Sequence, residues 1–250
     1  LTELDYIIDL HKDSERQGPG SESETLKALD LITLPADELL KIADIGCGTG
    51  ASTITLAQNT HSHITAVDIF SDFLHELDIR AEKLGLSSKI STLEKSMDQL
   101  PFGDEEFDII WSEGGIYNIG FEHGLRLWKP FLKKDGYLAV SEITWIDLKR
   151  PKEIQDFWDR EYPGIDTAGA KINLLEKHGF VLEGYFKLAE ESWIKNYYQP
   201  LEKKLESFLN RHHKSDMAVN VAEETRAEID LYHTYKKYYS YGFYVAKKVE

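Results

Sequence analysis

The sequence predicts an α/β fold, a doubly wound sheet of seven strands with helices between them. Three observations carry that expectation. Lys41-Ile-Ala-Asp-Ile-Gly-Cys-Gly-Thr-Gly50 reads as a short apolar strand, Ile42 to Ile45, which breaks into glycines at 46, 48 and 50. It passes at once into a helix-compatible segment, Ala51 to Gln58. A second β-branched run, His63-Ile-Thr-Ala-Val-Asp68, ends on an acid, and apolar runs then alternate with amphipathic ones to the end of the chain.

Taken in order, residues 1–16 carry Leu4, Ile7, Ile8 and Leu10 at near-helical spacing. Gln17-Gly-Pro-Gly-Ser-Glu22 interrupts that helix, because proline and two glycines do not continue it. Ser21 or Ser23 would cap the next helix, Glu24 to Leu31. The Gly-Pro run is read either as an ordinary turn or as a flap over the site. After the second strand, Ser71 caps a helix to Leu84, with Leu74, Leu77, Ala81 and Leu84 on one face and Gly85 ending it. Lys89 to Glu94 is the third strand and Phe107 to Ser112 the fourth. Phe121 to Trp128 is a short helix stopped by Pro130, and an Asp135-Gly136 turn leads into a fifth strand, Tyr137 to Ile143. Further helices are read over 151–162, 167–178, 193–211 and 223–237, with strands at 180–187 and 241–247.

Glycines between a strand and a helix start make a ligand cradle. They permit a tight turn, they bring bare main chain against a ligand, and the helix presents unpaired N–H groups. In open parallel sheets the ligand sits beyond the carboxyl ends of the strands. Gly46-x-Gly48-x-x-Ala51, with Asp68 about 20 residues on, also fits a dinucleotide fingerprint. Asp44, where such strands usually carry an apolar residue, and the extra Gly50 argue for another cofactor. Asp68 is suited to ribose, because a carboxylate offers acceptors to two neighbouring hydroxyls; the plainer alternative is a strand-end acid that caps the next helix.

Ala43-Asp-Ile-Gly-Cys-Gly-Thr-Gly50 resembles motif I of the class I S-adenosylmethionine-dependent methyltransferases. The resemblance continues through Leu100-Pro-Phe102, the acidic loop and Phe107-Asp108, and through Leu127-Trp-Lys-Pro-Phe-Leu-Lys-Lys-Asp-Gly136. It covers roughly 41–146 and is closest to the ubiquinone/menaquinone C-methyltransferase-like branch. It implies a Rossmann-like sheet of order 3-2-1-4-5-7-6, mostly parallel with an antiparallel last strand and with N-terminal and inserted helices. It implies S-adenosylmethionine as cofactor, with S-adenosylhomocysteine as product. The implied cofactor residues are Asp44, Gly46, Cys47, Gly48, Gly50, Asp68, Ile69 against the adenine, Ser96, Met97, Ser112 and Glu113. Where the family often carries an adenine-binding acid this sequence has Ser96, so a backbone contact from Met97 is expected instead.

The chain has 250 residues and a net charge of −15, with basic residues scattered in doublets, so a small-molecule substrate is expected and nucleic acid is not. No apolar run approaches the roughly 20 residues of a membrane span. The charged start, Leu1-Thr-Glu-Leu-Asp, is not a signal peptide, and the single Cys47 suits a reducing cytoplasm. No metal site is expected, since His61-x-His63 and His212-His213 lack partner ligands at a telling spacing. The reading is one domain over 1–250: a helical cap at 1–40, a cofactor core at 41–146, and at 147–250 the second half of the sheet with helical additions. Its function is methyl transfer to a small molecule in the cytoplasm, with a homodimer left open. The rivals are an NAD(P)-dependent oxidoreductase and a non-catalytic nucleoside-binding module. Methyl transfer needs alignment and water exclusion more than a base. Glu113, Tyr117, His123 and Glu142 are the candidates for any catalytic role. The C-terminal tyrosines are read as core, with a pocket lining as the alternative.

Overall fold

A computed structural model describes residues 2–33 and 38–249. Leu1 and the 34–37 stretch of the expected N-terminal cap lie outside the described residues. The elements are α1 (Glu3–His11), α2 (Glu22–Leu29), β1 (Leu40–Ile45), α3 (Ala51–Asn59), β2 (Ser62–Asp68), α4 (Ser71–Lys83) and β3 (Ile90–Glu94). They continue with β4 (Phe107–Glu113), α5 (Phe121–Trp128), β5 (Leu132–Trp145), α6 (Lys152–Glu161), β6 (Asp166–Thr167), α7 (Ala168–Lys177) and β7 (Phe180–Lys187). The chain then forms α8 (Glu190–Trp193), α9 (Gln199–Arg211), α10 (Asp216–Tyr235) and β8 (Tyr239–Lys248).

The sheet runs β3-β2-β1-β4-β5-β8-β7. β8 is antiparallel to both β5 and β7, and the pairs among the first five strands are parallel. Leaving aside the two-residue β6, which pairs with Thr144 and Trp145, this is the expected seven-strand order with its antiparallel last strand. Side chains alternate between the faces. On β4, Ile109 and Trp111 pack on one side with α3 and α4, and Ile110 packs on the other with α5 and α7. β8 splits likewise, with Tyr241, Phe243 and Val245 on the first face and Tyr244 and Ala246 on the second. Strands buried on both sides read as continuous apolar runs. α1, α9 and α10 form a third cluster around Leu10, Leu205 and Phe208.

Some local expectations are corrected. The helix read over 193–211 is present but begins earlier, at Glu190, and carries a π-turn over Ile194–Tyr198 between α8 and α9, just before Pro200, which has no N–H for the ladder. The Asp135-Gly136 turn is absorbed into a long β5 as an irregularity, with Asp135 at φ 62. Ser71 does not cap α4. The cap position is Phe70, whose N–H donates to Asp68 Oδ1 at 3.0 Å. Ser21 does cap α2, which begins at Glu22 rather than Glu24.

Candidate functional site

The carboxyl ends of β1, β2 and β4 open into a cavity of about 490 Å³. The loop after β1 forms its floor. Gly46, Gly48 and Gly50 all have positive φ, between 53 and 84°. At Gly50 a Cβ would also lie 2.1 Å from Leu77 Cδ1, so only glycine fits there. The N–H groups of Gly46, Cys47 and Gly48 are not free. Gly46 and Cys47 both donate to Val67 O, at 2.8 and 2.9 Å, and Gly48 donates to Asp68 Oδ2 at 2.9 Å. These bonds tie the loop to the tip of β2. The donors left to a ligand are the first N–H groups of α3: those of Ala51 and Ser52, which line the cavity, have no partner among the described residues.

Asp68 stands at the cavity edge, 9% exposed. Its two oxygens accept from Gly48 and Phe70, so the capping role and an open lone pair on each oxygen coexist. Burial raises its pKa, against the pull of those N–H groups. Ile69 is exposed beside it, an apolar surface at the cavity wall. Across the opening, Met97 gives its carbonyl to Trp128 Nε1 at 2.9 Å, and its N–H has no partner among the described residues. Ser96 Oγ is turned to Asp98 Oδ1 at 2.5 Å. Cys47 lines the cavity as a buried thiol whose pKa burial holds well above the usual range.

Three residues of the expected set do not line this cavity: Asp44, Gly50 and Ser112. Asp44 is fully buried beneath the loop, where Oδ2 accepts Ser52 Oγ at 2.8 Å and Thr53 Oγ1 at 2.6 Å. It fixes the first turn of α3 from below. Burial pushes its pKa up to about 7, although both hydroxyls favour the charged form. Ser112 is likewise fully buried, under the close approach of Gly115.

Three of the four catalytic candidates are exposed or already engaged by other side chains. His123 is exposed on α5, its ring Nδ1 accepting from Arg126 Nη2 at 3.1 Å, and it lines no cavity described here. Glu113 lines the cavity, but its carboxylate is spent: Arg16 pairs with Oε2 at 2.8 Å, while Thr25 Oγ1 and Trp111 Nε1 donate to Oε1 at 2.6 and 3.0 Å. Glu142 is also occupied and fully buried, with Lys171 Nζ at 2.6 Å and Tyr162 Oη at 2.7 Å on Oε1. Tyr117 does face the cavity, a phenol kept neutral by burial and by the charges of Glu228 and Glu142.

Gln17 and Arg16 escaped sequence reading. The strap over residues 14–20 lies on the glycine loop. Thr49 Oγ1 donates to Ser14 O at 2.9 Å, Arg80 donates to Ser14 O at 2.7 Å and to Glu15 O at 3.0 Å, and Gln17 Nε2 reaches Thr49 Oγ1 at 2.9 Å. Gln17 Oε1 is buried with no partner among the described residues. Gln17, Gly18, Pro19, Gly114 and Tyr117 also border a second cavity of about 850 Å³, walled by Trp193, Tyr197, Tyr239, Tyr241 and one face of α10. Tyr239 and Tyr241 thus line a pocket, whereas Tyr232 and Tyr244 are core.

Residues 42–136 match the model of a family described as a methyltransferase domain. The chain is 32% identical over 130 residues to the ubiquinone/menaquinone biosynthesis C-methyltransferase UbiE of Bartonella henselae, which covers 51% of this chain and 50% of that protein. It therefore spans about half the length of the curated relatives it matches. Its fold is shared with YjhP from E. coli, at a TM-score of 0.84, 20% identity and coverage of 96% and 98%. It is shared equally with a methyltransferase from Geobacter sulfurreducens solved with S-adenosyl-L-homocysteine, at 0.84, 14% identity and 97% of each chain. The matched segment, residues 42–136, is thus similar to a methyltransferase domain, and it sits in a sheet with the strand order of the class I S-adenosylmethionine-dependent methyltransferase fold.

Proposed function

We propose that this protein binds S-adenosylmethionine in the first cavity and transfers its methyl group to a small-molecule acceptor held in the second. One observation carries the reading: the glycine loop and Asp68 bound a cavity at the sheet's switch point, and that cavity shares a wall with a larger aromatic one. The residues present suit the cofactor. The lone pairs left on Asp68 would take ribose hydroxyls, and Ile69 and the Met97 N–H would face the adenine. The buried Gln17 Oε1 lacks a donor that the amino group of the methionine part would supply. When bound, the cofactor supplies an electrophilic methyl on a sulfonium with a neutral leaving group. The chain's own contribution is placement and dryness. The strap closes the loop side, Tyr117 stands between the cavities, and Glu113 and Arg16 neutralise one another where they line the wall. On this reading residues 1–40 and 147–250 work as one unit with the core.

Calorimetry against S-adenosylmethionine, S-adenosylhomocysteine and NADH tests the cofactor, and release of S-adenosylhomocysteine with fractionated small-molecule pools tests turnover. Binding of the two sulfur compounds and not of NADH is expected. NADH binding alone would leave an oxidoreductase, and cofactor binding without turnover in any pool would leave a nucleoside-binding module.

A further inference from the structure

The chemistry of the second cavity narrows its occupant. Glu224, Ala227, Glu228 and Leu231 fall at i, i+3, i+4 and i+7 on α10, so one helix face supplies two acids and an apolar floor. Glu161 adds a third carboxylate, and Tyr117, Trp193, Tyr197 and Tyr241 supply aromatic surface. No Lys, Arg or His is among the described residues that line it.

The contrast with neighbouring acids is informative. Glu113 is neutralised by Arg16 at 2.8 Å, and Glu142 by Lys171 at 2.6 Å. Among the described residues Glu228 has no such partner. Its one hydrogen bond among the described residues comes from the neutral Tyr198 Oη at 3.0 Å, and it forms no ion pair among them. Glu228 is open to the cavity, yet enough protein surrounds it for burial to raise its pKa. An anionic ligand would meet three carboxylates here. A neutral one would leave Glu228 uncompensated. A cation answers both the carboxylate and the aromatic faces, whose quadrupoles attract positive charge.

We propose that the acceptor carries a cationic nitrogen on an apolar body, and that its ammonium group sits against Glu228 between the rings of Tyr117, Tyr197 and Tyr241. This rests on the second cavity being the acceptor site. The test titrates protein saturated with S-adenosylhomocysteine with 2-phenylethylamine, 2-phenylethanol and phenylacetate, which share a shape and differ in charge. The amine is expected to bind about tenfold or more tightly than the alcohol, with phenylacetate weakest. Glu228→Gln is expected to remove most of the amine's advantage while leaving S-adenosylhomocysteine affinity unchanged. Equal or better binding of the alcohol or of phenylacetate would overturn the proposal, as would no amine binding at millimolar concentration. So would an undiminished amine preference in a folded Glu228→Gln. The wild-type comparison decides the matter if that variant does not fold. Failure to bind S-adenosylhomocysteine is a separate result and strikes the methyltransferase reading instead.

Discussion

Replacing Asp68 by alanine separates the two duties its position suggests. Without ligand, the carboxylate accepts Gly48 N–H at 2.9 Å and Phe70 N–H at 3.0 Å from a site only 9% exposed. Alanine leaves both donors unmet. Each hydrogen bond to a charged group contributes about 1.5–3 kcal/mol. Burial of the carboxylate, which raises its pKa, offsets part of the pair, and a net loss of about 3 kcal/mol is expected. For a chain of this size each kcal/mol moves Tm by roughly 2–4 °C, so calorimetry of the ligand-free variant should show a fall of roughly 6–12 °C. Asp68→Asn keeps one acceptor and should fall about half as far. In the same variants, loss of a ribose contact should weaken S-adenosylhomocysteine by about 1.5–3 kcal/mol, or roughly 10–150-fold. An unchanged ligand-free Tm in Asp68→Ala would refute the two backbone bonds. A lowered Tm with unchanged affinity would refute the ribose role and leave Asp68 as a cap.

Asp44 should impose a pH dependence. Its pKa lies at about 7 in the folded protein against 3.8 as its ordinary value, so the folded state holds the proton more tightly. The associated stability is complete below pH 3.8 and is lost as pH rises to about 7, a difference of about 4 kcal/mol. The curve of stability against pH for wild type minus Asp44→Asn, from urea denaturation, should carry that slope. Lys171→Met should destabilise by about 3–5 kcal/mol, because it strands the buried Glu142, and adding Glu142→Gln should restore most of the loss. Arg80→Ala removes the clamp on Ser14 O and Glu15 O, so hydrogen exchange over residues 13–18 should quicken while β1 and β2 keep their protection.

Much of the fold was legible because its signals are local. β7 and α5 fall on the residues their patterns predicted, since an apolar period bounded by Gly179 or Pro130 needs no distant partner. The strand order and the antiparallel last strand came from the family resemblance, which periodicity does not encode. Gly46, Gly48 and Asp68 were legible as a site because strand, turn and helix are contiguous in sequence. The occupation of Glu113 was not. Arg16 lies 97 positions away, and nothing near either residue marks the pair. Gln17 was hidden in the same way: the Gly-Pro run advertised a break in the helix, and only packing against Thr49 revealed what lies there. The π-turn inside the 190–211 helix was not legible, because the apolar spacing of Tyr197, Leu201, Leu205 and Phe208 runs on across it.

β8 is hydrogen-bonded on both flanks, to β5 and to β7, and nearly all of it is buried. During synthesis the five parallel strands have long emerged by the time this segment leaves the ribosome, and they wait with an unfilled edge. β7 has no neighbour among them until residues 239–248 arrive to bridge the gap. Completion of this sheet is thus decided by residues 239–248. A nascent chain stalled before residue 239 would expose two open strand edges, and its fate would depend on chaperones rather than on its own cofactor loop.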